Sequence, residues 1–384
     1  MNRTGKVSVS VARCTNYDPA GVRTALDACL LPLGGMGRCV RPGDRVLIKP
    51  NLLASKDPSS AVTTHPSVVR AVVELVQEKG ATAIVGDSPG GRNTPSSYRA
   101  LLKRTGMLGV CEDTGAEPVY FDSPTMTVVS ESARTFRKFT VTGALNDVDT
   151  VIGVSKLKTH LFMHYTGAVK LLYGYIPGVA KAEYHLHAGR DMSTFARLLL
   201  DLHATFPPSL SIMDAVVGME GLGPQHGKPR KIGLLMASPS APALDMASSS
   251  VVGFDPLSIP TIRGAVEEGT GPASLEEVDW FGPPLEEVKV PDFVPSIRMN
   301  PGRVPPFLYA FAQRLAAASP VIDQNACIRC GTCAQDCPPG AIRFIPGSYP
   351  SIEYGKCIRC FCCHELCPAG AVSVKVPLLR RMLG

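Results

Sequence analysis

Residues 322–345, IDQNACIRCGTCAQDCPPGAIRFI, are echoed thirty positions later by residues 352–375, IEYGKCIRCFCCHELCPAGAVSVK. Each stretch contains C-x2-C-x2-C-x3-C-P, formed by Cys327, Cys330, Cys333, Cys337 and Pro338 in the first and by Cys357, Cys360, Cys363, Cys367 and Pro368 in the second. Nine of the 13 cysteines crowd between positions 327 and 367 at ligand spacing, which argues for metal rather than disulfides. Paired C-x2-C units also bind zinc tetrahedrally. Two identical four-cysteine runs, each closed by proline, instead point to 4Fe-4S clusters, for which soft thiolates are the natural ligands.

The double run resembles the bacterial two-cluster ferredoxins over residues 322–375. That resemblance implies two clusters and a crossed ligand set, because the fourth cysteine of each run reaches the other cluster. Cys327, Cys330, Cys333 and Cys367 would hold the first cluster, and Cys357, Cys360, Cys363 and Cys337 the second. Cys362 matches neither run and is expected to be a non-ligand thiol. Cys14, Cys29, Cys39 and Cys111 are expected to be ordinary buried or half-buried thiols.

Upstream, strand-like and helix-like patterns alternate. Residues 7–11 read as a half-buried strand, and Asp18-Pro19 opens a helix toward Leu31 with an N-cap and an N1 proline. Residues 45–49 form a short apolar strand, Thr64 is expected to cap a helix over 66–79, and residues 81–85 form the next strand. Further strands are expected at 151–155, 210–213 and 232–236. Such alternation predicts an α/β fold, a mostly parallel sheet with flanking helices, followed by a small ferredoxin-like α+β domain. Prolines become frequent over 272–306, which suggests a boundary. The expected organisation is an α/β domain over 1–300, a linker and helix over 301–320 (the helix at 306–318), the cluster domain over 321–376, and a basic-apolar tail over 377–384.

Lys49-Pro50-Asn51, Thr64-His65-Pro66, the run from Gly86 to Gly91, and Lys156-Leu157-Lys158-Thr159-His160 followed by Thr166-Gly167-Ala168-Val169-Lys170 carry a second resemblance. Over residues 43–256 the chain resembles the domain-of-unknown-function 362 family, often joined to such a ferredoxin tail. The resemblance implies an architecture and no particular reaction.

Ligands of open α/β sheets bind outside the carboxyl ends of the strands, where Asn51, Asp87, Lys156, Lys158, His160 and Asp214 are expected to converge. Thr166 and Gly167 are expected to open a helix whose free N–H groups receive an anion, with Lys170 one turn along. The substrate-binding set is therefore Asn51, Lys156, Lys158, Thr166, Gly167, Lys170 and Asp214, with His160 as general acid and Asp87 as a second proton carrier. Solvated surface lysines are the alternative. The pairs His160/His164 and His185/His187 have spacings that suit a metal if they lie on helix and strand respectively, but hydrogen-bonding or proton-transferring roles are commoner.

The formal charge of +6 is spread along the chain and fits an anionic small substrate or an acidic redox partner. No nucleic-acid motif and no spaced G-x-G-x-x-G with a following acidic residue is present, so neither nucleic acid nor a nicotinamide is expected. The first residues lack a secretory apolar stretch and no segment approaches a spanning helix, so a cytoplasmic protein is expected. These features predict an iron–sulfur oxidoreductase that takes electrons from an external low-potential carrier and passes them to a small anionic substrate. The alternative is a non-catalytic electron-transfer or assembly protein whose front domain docks a partner.

Overall fold

The run RVLIKP at residues Arg45–Pro50 shows why a parallel sheet forms. Val46, Leu47 and Ile48 are all fully buried. Val46 and Ile48 face one apolar cluster and Leu47 the other, as a strand covered on both faces requires. In the computed structural model, which describes residues 6–296 and 318–375, this strand is central.

In chain order the front strands are β1 (Val7–Arg13), β2 (Arg45–Pro50), β3 (Thr82–Asp87), β4 (Glu117–Tyr120), β5 (Thr125–Val129), β6 (Lys138–Thr142), β7 (Thr150–His160), β8 (His164–Thr166), β9 (Leu210–Glu220), β10 (Lys228–Ser238) and β11 (Val278–Phe281). Nine of them form one sheet in the order β11-β1-β10-β9-β7-β2-β3-β4, with β8 paired to β7, while β5 and β6 make a separate hairpin. The block β9-β7-β2-β3-β4 is parallel. Strand β10 runs antiparallel to both β9 and β1, so the sheet is mixed but mostly parallel.

The chain moves from β2 to β3 and β4 on one side, then returns to β7 on the other side of β2. The topological switch therefore lies between β2 and β7, where a crevice at the strand ends is expected. The helix Pro66–Gln77 packs on one face through Val68, Val69, Val72, Val73 and Val76, spaced three and four apart. Helices Met192–Thr205, Ala241–Val251 and Pro260–Glu267 cover the other face.

Three expectations change. The helix at 66 is capped by His65, whose side chain accepts the Ser67 N–H, while Thr64 Oγ1 accepts from Asn51 N and donates to Val154 O, tying β2 to β7. Strand β7 does not stop at Ser155 but continues to His160, so Lys156, Lys158 and His160 lie within it, on one side, and are buried. The proline-rich stretch also contributes β11, which adds parallel to β1. The expected helix at 306–318 and the tail at 377–384 lie outside the described residues, apart from Ala318.

The cysteine module has β12 (Ser319–Ile322) paired with β15 (Val372–Lys375), and β13 (Ile342–Arg343) with β14 (Ser351–Ile352), all antiparallel. Short helices at Thr332–Gln335 and Cys362–Glu365 follow left-handed residues, Gly331 (φ 78) and Phe361 (φ 61). The two runs interlock. Asp323 N donates to Ala371 O and Glu353 N to Ala341 O, each at 2.7 Å.

Between the sheet and the module lies the short helix Ala168–Leu171, which carries Lys170. The buried Asp245 carboxylate starts this helix, accepting from Ala168 N at 2.6 Å and Val169 N at 3.1 Å. Replacing Asp245 with Ala strands two buried donors and should lower stability by about 3 kcal/mol, read as a lower urea midpoint at unchanged m-value. Asp245→Asn, which keeps one acceptor oxygen, should lose less than half as much.

Candidate functional site

Four lysines cluster where β2, β3 and β7 end, and three are almost wholly enclosed: Lys49, Lys156 and Lys158 are 0%, 2% and 1% exposed. An enclosed ammonium needs partners. Lys49 meets Asp87 at 2.6 Å, and Asp87 also accepts from Leu52 N and Ser88 N. Lys156 meets Asp214 at 2.9 Å, directly across the β7–β9 pairing. Asp214 further accepts from Tyr17 Oη and from His65 N, and Tyr17 stacks on the His65 ring at 3.6 Å. Burial lowers the affinity of Lys49 and Lys156 for their protons, with Asp87 and Asp214 opposing it.

Lys158 has no carboxylate in contact. Its ammonium donates to Asn51 Oδ1 at 2.6 Å and to Val62 O at 2.7 Å, bridging the switch point between β2 and β7. Burial, then the nearby Lys170, push its pKa down to about 7.

Lys170 is half-buried, and among the described residues its ammonium donates no hydrogen bond. Burial lowers its pKa, opposed by the nearby Glu365 and the Cys362 thiol.

His160 ends β7 and is 1% exposed. Its Nδ1 accepts from Phe162 N at 3.0 Å and Met163 N at 3.2 Å, so the neutral ring carries its proton on Nε2. Nε2 stands 3.0 Å from Glu365 Oε1, a residue of the cysteine module. The approach is off the line of a good hydrogen bond, leaving both atoms with unused capacity. Burial and Lys170 push His160 down to about 4 against the pull of Glu365, leaving it neutral near pH 7. Burial pushes Glu365 up, but His160, Lys170 and His185 outweigh it and hold the carboxyl at about 2.

The module thus sits on the strand ends. Arg190 donates to Cys357 O at 2.7 Å, His226 Nε2 lies 2.9 Å from His364 O, and Phe361 joins the core of the front domain. The Gly-rich run after β3 is a close-approach surface: a Cβ at Gly90 would lie 2.8 Å from Leu366 and one at Gly91 3.2 Å from Asp336.

Several expected site residues are occupied internally. Asp87 accepts from Lys49, Leu52 N and Ser88 N, and Asp214 from Lys156, Tyr17 and His65 N, so both carboxylates and Lys156 are engaged within the chain. The helix start expected to receive an anion at Thr166 and Gly167 already carries Asp245, and a Cβ at Gly167 would meet Asp245 Oδ1 at 2.0 Å. Thr166 Oγ1 instead donates to Lys158 O at 3.0 Å. The lysines are not solvated surface residues either.

His160 and His164 face each other across the β7–β8 hairpin rather than along a helix. His185 and His187 lie on the helix Lys181–Ala188, one buried and one exposed. Among the described residues no three His, Cys, Asp or Glu groups converge at single-ion distance.

The sequence reading missed Glu365, Tyr173 and Lys181. Lys181 donates to Ser88 O at 2.6 Å and Pro89 O at 3.0 Å, and burial pushes it down to about 8. A signal existed in the repeat itself. Phe361, Cys362, His364, Glu365 and Leu366 replace Gly331, Thr332, Ala334, Gln335 and Asp336 of the first run, and the second set faces the front domain.

The thiols form two groups. Cys333 neighbours Cys367, Cys330 and Cys327, while Cys363 neighbours Cys360, Cys357 and Cys337 first and Cys333 after them. Cys337, Cys357, Cys360 and Cys363 line a cavity otherwise walled by apolar side chains such as Ile342, Ile352, Ile358 and Phe361. The fourth cysteine of each run accepts a backbone N–H, Ala341 to Cys337 Sγ and Ala371 to Cys367 Sγ, both at 3.2 Å. Four thiols around a shared space, not drawn onto one point, fit an iron–sulfur cubane better than a zinc ion at ~2.3 Å from each sulfur.

Fold and site define a class: a mostly parallel α/β domain whose strand ends are capped by a 4Fe-4S-binding ferredoxin module. A model described as a 4Fe-4S dicluster domain matches residues 319–368, and one described as Domain of unknown function (DUF362) matches residues 46–250. The chain belongs to the DUF362 family. A thylakoid-associated protein of Synechocystis sp. is 37% identical over 301 residues, 77% of this chain and 92% of that protein. Among solved structures, the lactate racemase apoprotein from Thermoanaerobacterium thermosaccharolyticum has 11% identity and a TM-score of 0.38, over 63% of this chain and 56% of that one. The chain spans only about half of that enzyme, and the likeness is too low to bear on chemistry.

The depressed Lys158 pKa makes a pH prediction. Between about pH 7 and the ordinary lysine value the unfolded chain holds this proton and the folded chain does not, so Lys158 makes stability rise with pH across that window. Its burial costs most below pH 7. Relative to Lys158→Met, the wild type should therefore gain stability from pH 7 to 9.5 with a slope of at most about 1.4 kcal/mol per pH unit, measured by urea denaturation.

Proposed function

We propose that the protein is an iron–sulfur oxidoreductase whose module, holding two 4Fe-4S clusters, delivers electrons to a small anionic substrate between the module and the carboxyl ends of β2 and β7. The observation that carries this reading is the 3.0 Å approach of Glu365, between Cys363 and Cys367, to His160 at the end of β7. It seats the cluster-binding loop on the one part of the sheet where a ligand crevice is expected.

In this reading Cys327, Cys330, Cys333 and Cys367 hold an outer cluster, and Cys357, Cys360, Cys363 and Cys337 an inner one. The two thiol groups and the cavity lined by the second set support that crossing. Bound clusters supply single electrons at low potential. The remaining work belongs to the chain. Lys170, whose ammonium donates no hydrogen bond among the described residues, attracts the substrate's negative charge, and His160 Nε2–H supplies a proton. Lys158, pinned to Asn51 and Val62 O, holds the two halves of the crevice together.

Exposure gives the wire a direction. Cys330 is exposed and Cys327 half-buried, whereas Cys357, Cys360 and Cys363 are buried against the front domain. An external low-potential carrier protein would meet the outer run, where Ile328 and Ile345 are 65% and 72% exposed. Those apolar side chains equally suit the second reading, a non-catalytic carrier or assembly protein. A cytoplasmic location is part of this proposal, and thylakoid association in the relative is compatible with it through attachment to a membrane surface. Among the described residues no helix is long and apolar enough to cross a membrane.

Anaerobically purified protein should carry about eight irons and show two interacting cubanes by electron paramagnetic resonance. About four irons would end the two-cluster claim. Cys337→Ala should lose the inner cluster selectively, whereas Cys362→Ala should keep both. Dithionite-reduced protein mixed with candidate anionic metabolites should reoxidise with the true substrate, and His160→Phe should slow this at least about a hundredfold with cluster spectra intact. If His160→Phe weakens only a protein complex and leaves reoxidation unchanged, the carrier reading is the right one.

A further inference from the structure

The amino ends of β2, β7 and β9, the edge of the sheet opposite the cysteine module, border a cavity of about 530 Å³. Small-molecule sites commonly measure about 300–1,000 Å³. The chain builds part of the wall by reversing after the helix Pro19–Leu30. Two single turns of 3-10 helix follow, Leu31–Leu33 and Met36–Arg38, and between them Gly34 (φ 92) and Gly35 (φ 71) take the left-handed backbone that glycine adopts without strain. This reversal brings Arg38 and Arg41 to the cavity, where they join Asp44 and Asp149, the residues immediately before β2 and β7.

Two guanidiniums and two carboxylates around one space would ordinarily pair. Here they are held apart: among the described residues no salt bridge joins either arginine to either aspartate or to any other carboxylate. Each aspartate uses one oxygen to fix the backbone, Asp44 Oδ2 accepting from Arg41 N at 2.8 Å and Asp149 Oδ2 from Arg45 N at 2.7 Å. The second oxygen of each stays without a donor among the described residues. The Arg41 guanidinium donates no hydrogen bond there, and that of Arg38 donates only to Leu33 O, at 3.4 Å. The apolar part of the lining includes Leu30, Leu33 and Leu210, which are 2%, 5% and 5% exposed.

We propose that this cavity binds a free α-amino acid with a large apolar side chain, its carboxylate on Arg38 and Arg41, its ammonium on Asp44 and Asp149, and its side chain against the leucines. A plain anion would bring its charge beside two carboxylates, and a plain cation or metal ion beside two guanidiniums. A zwitterion answers both sets at once, and the arginine fork matches a carboxylate with two parallel hydrogen bonds. Water also solvates these charges; a ligand adds the burial of apolar surface and pairs the charges under a cover of lower dielectric. The strands β2 and β7 separate this cavity from the crevice at their carboxyl ends, so its occupant touches neither His160 nor Lys170, and its binding does not depend on electron transfer.

Isothermal titration calorimetry on the full-length holoprotein tests this with L-phenylalanine, with phenylpropionate, which lacks the ammonium, and with phenethylamine, which lacks the carboxylate. L-Phenylalanine should bind saturably, at least about tenfold more tightly than either analogue. Arg41→Gln should weaken L-phenylalanine about tenfold without weakening phenethylamine. Asp149→Asn keeps an oxygen for Arg45 N and should weaken L-phenylalanine by the same factor without weakening phenylpropionate. Arg38→Gln and Asp44→Asn repeat the comparison with the second pair. No saturable binding of L-phenylalanine, equal binding of either analogue, or undiminished L-phenylalanine binding in the four variants would each overturn the assignment. The first two outcomes are read on the wild type and need no variant to fold.

Discussion

Burying ammonium groups at the carboxyl ends of parallel strands is the constraint to which the rest of the structure answers. Removing an ammonium from water costs several kcal/mol after relaxation, and an attractive partner repays it only with good geometry and further hydrogen bonds. Lys49 and Lys156 are answered by Asp87 and Asp214, each of which gathers backbone N–H groups as well. These pairs tie β2 to β3 and β7 to β9, the two connections on either side of the switch point. Lys158 then closes the gap between β2 and β7 through Asn51. The crevice that an open α/β sheet offers is therefore already braced before any ligand arrives.

The cysteine module supplies the remaining negative charge. Glu365 comes from its second run and reaches the region of His160 and Lys170, which the front domain alone leaves without a carboxylate in contact. Duplication explains how this was possible. A duplicated cysteine module needs only the cysteines, the prolines and the turns to be the same in both halves, so the residues between them are free to differ. The second half spends that freedom on Phe361, His364, Glu365 and Leu366, which bury or bond against the front domain, while Ile328 and Cys330 of the first half stay exposed.

Much of this was legible in the sequence, and the illegible part has identifiable physical causes. The cysteine spacing, the alternating pattern and the gathering of Asn51, Lys158 and His160 at the strand ends are local or fold-level consequences of periodicity and turn chemistry. Which lysines are free was not legible, because it depends on long-range partners: Asp214 lies 58 positions from Lys156, and Asp245 lies 77 from Ala168. The apolar pattern alone ends strand β7 at Ser155, before the two lysines. They continue the strand only because their partners lie across the sheet or in the loop around Val62. The Gly-rich run after β3 matches no phosphate-binding motif, and its glycines answer to packing against Leu366 and Asp336.

The docking of the module also decides how charge is distributed along any electron path. Of the outer thiols, Cys330 is exposed and Cys327 half-buried while Cys333 and Cys367 are buried, so only the Cys327–Cys330 side reaches water, where high dielectric and mobile ions soften charge. The inner thiols face a wall of buried groups that includes Lys170, His160 and Glu365, and a charge gained there is screened far less. A protonated Lys170 close to the inner site would favour negative charge there, while water on the Cys327–Cys330 side does the same for the outer one by solvation. The balance between the two is therefore set by how well the module is seated, through Phe361, Leu366 and the Glu365–His160 contact, and not by the cysteines, whose arrangement is the same in both halves. Seating and electron distribution are one property of this chain, because the residues that exclude water from the inner thiols are those that build the wall around Lys170.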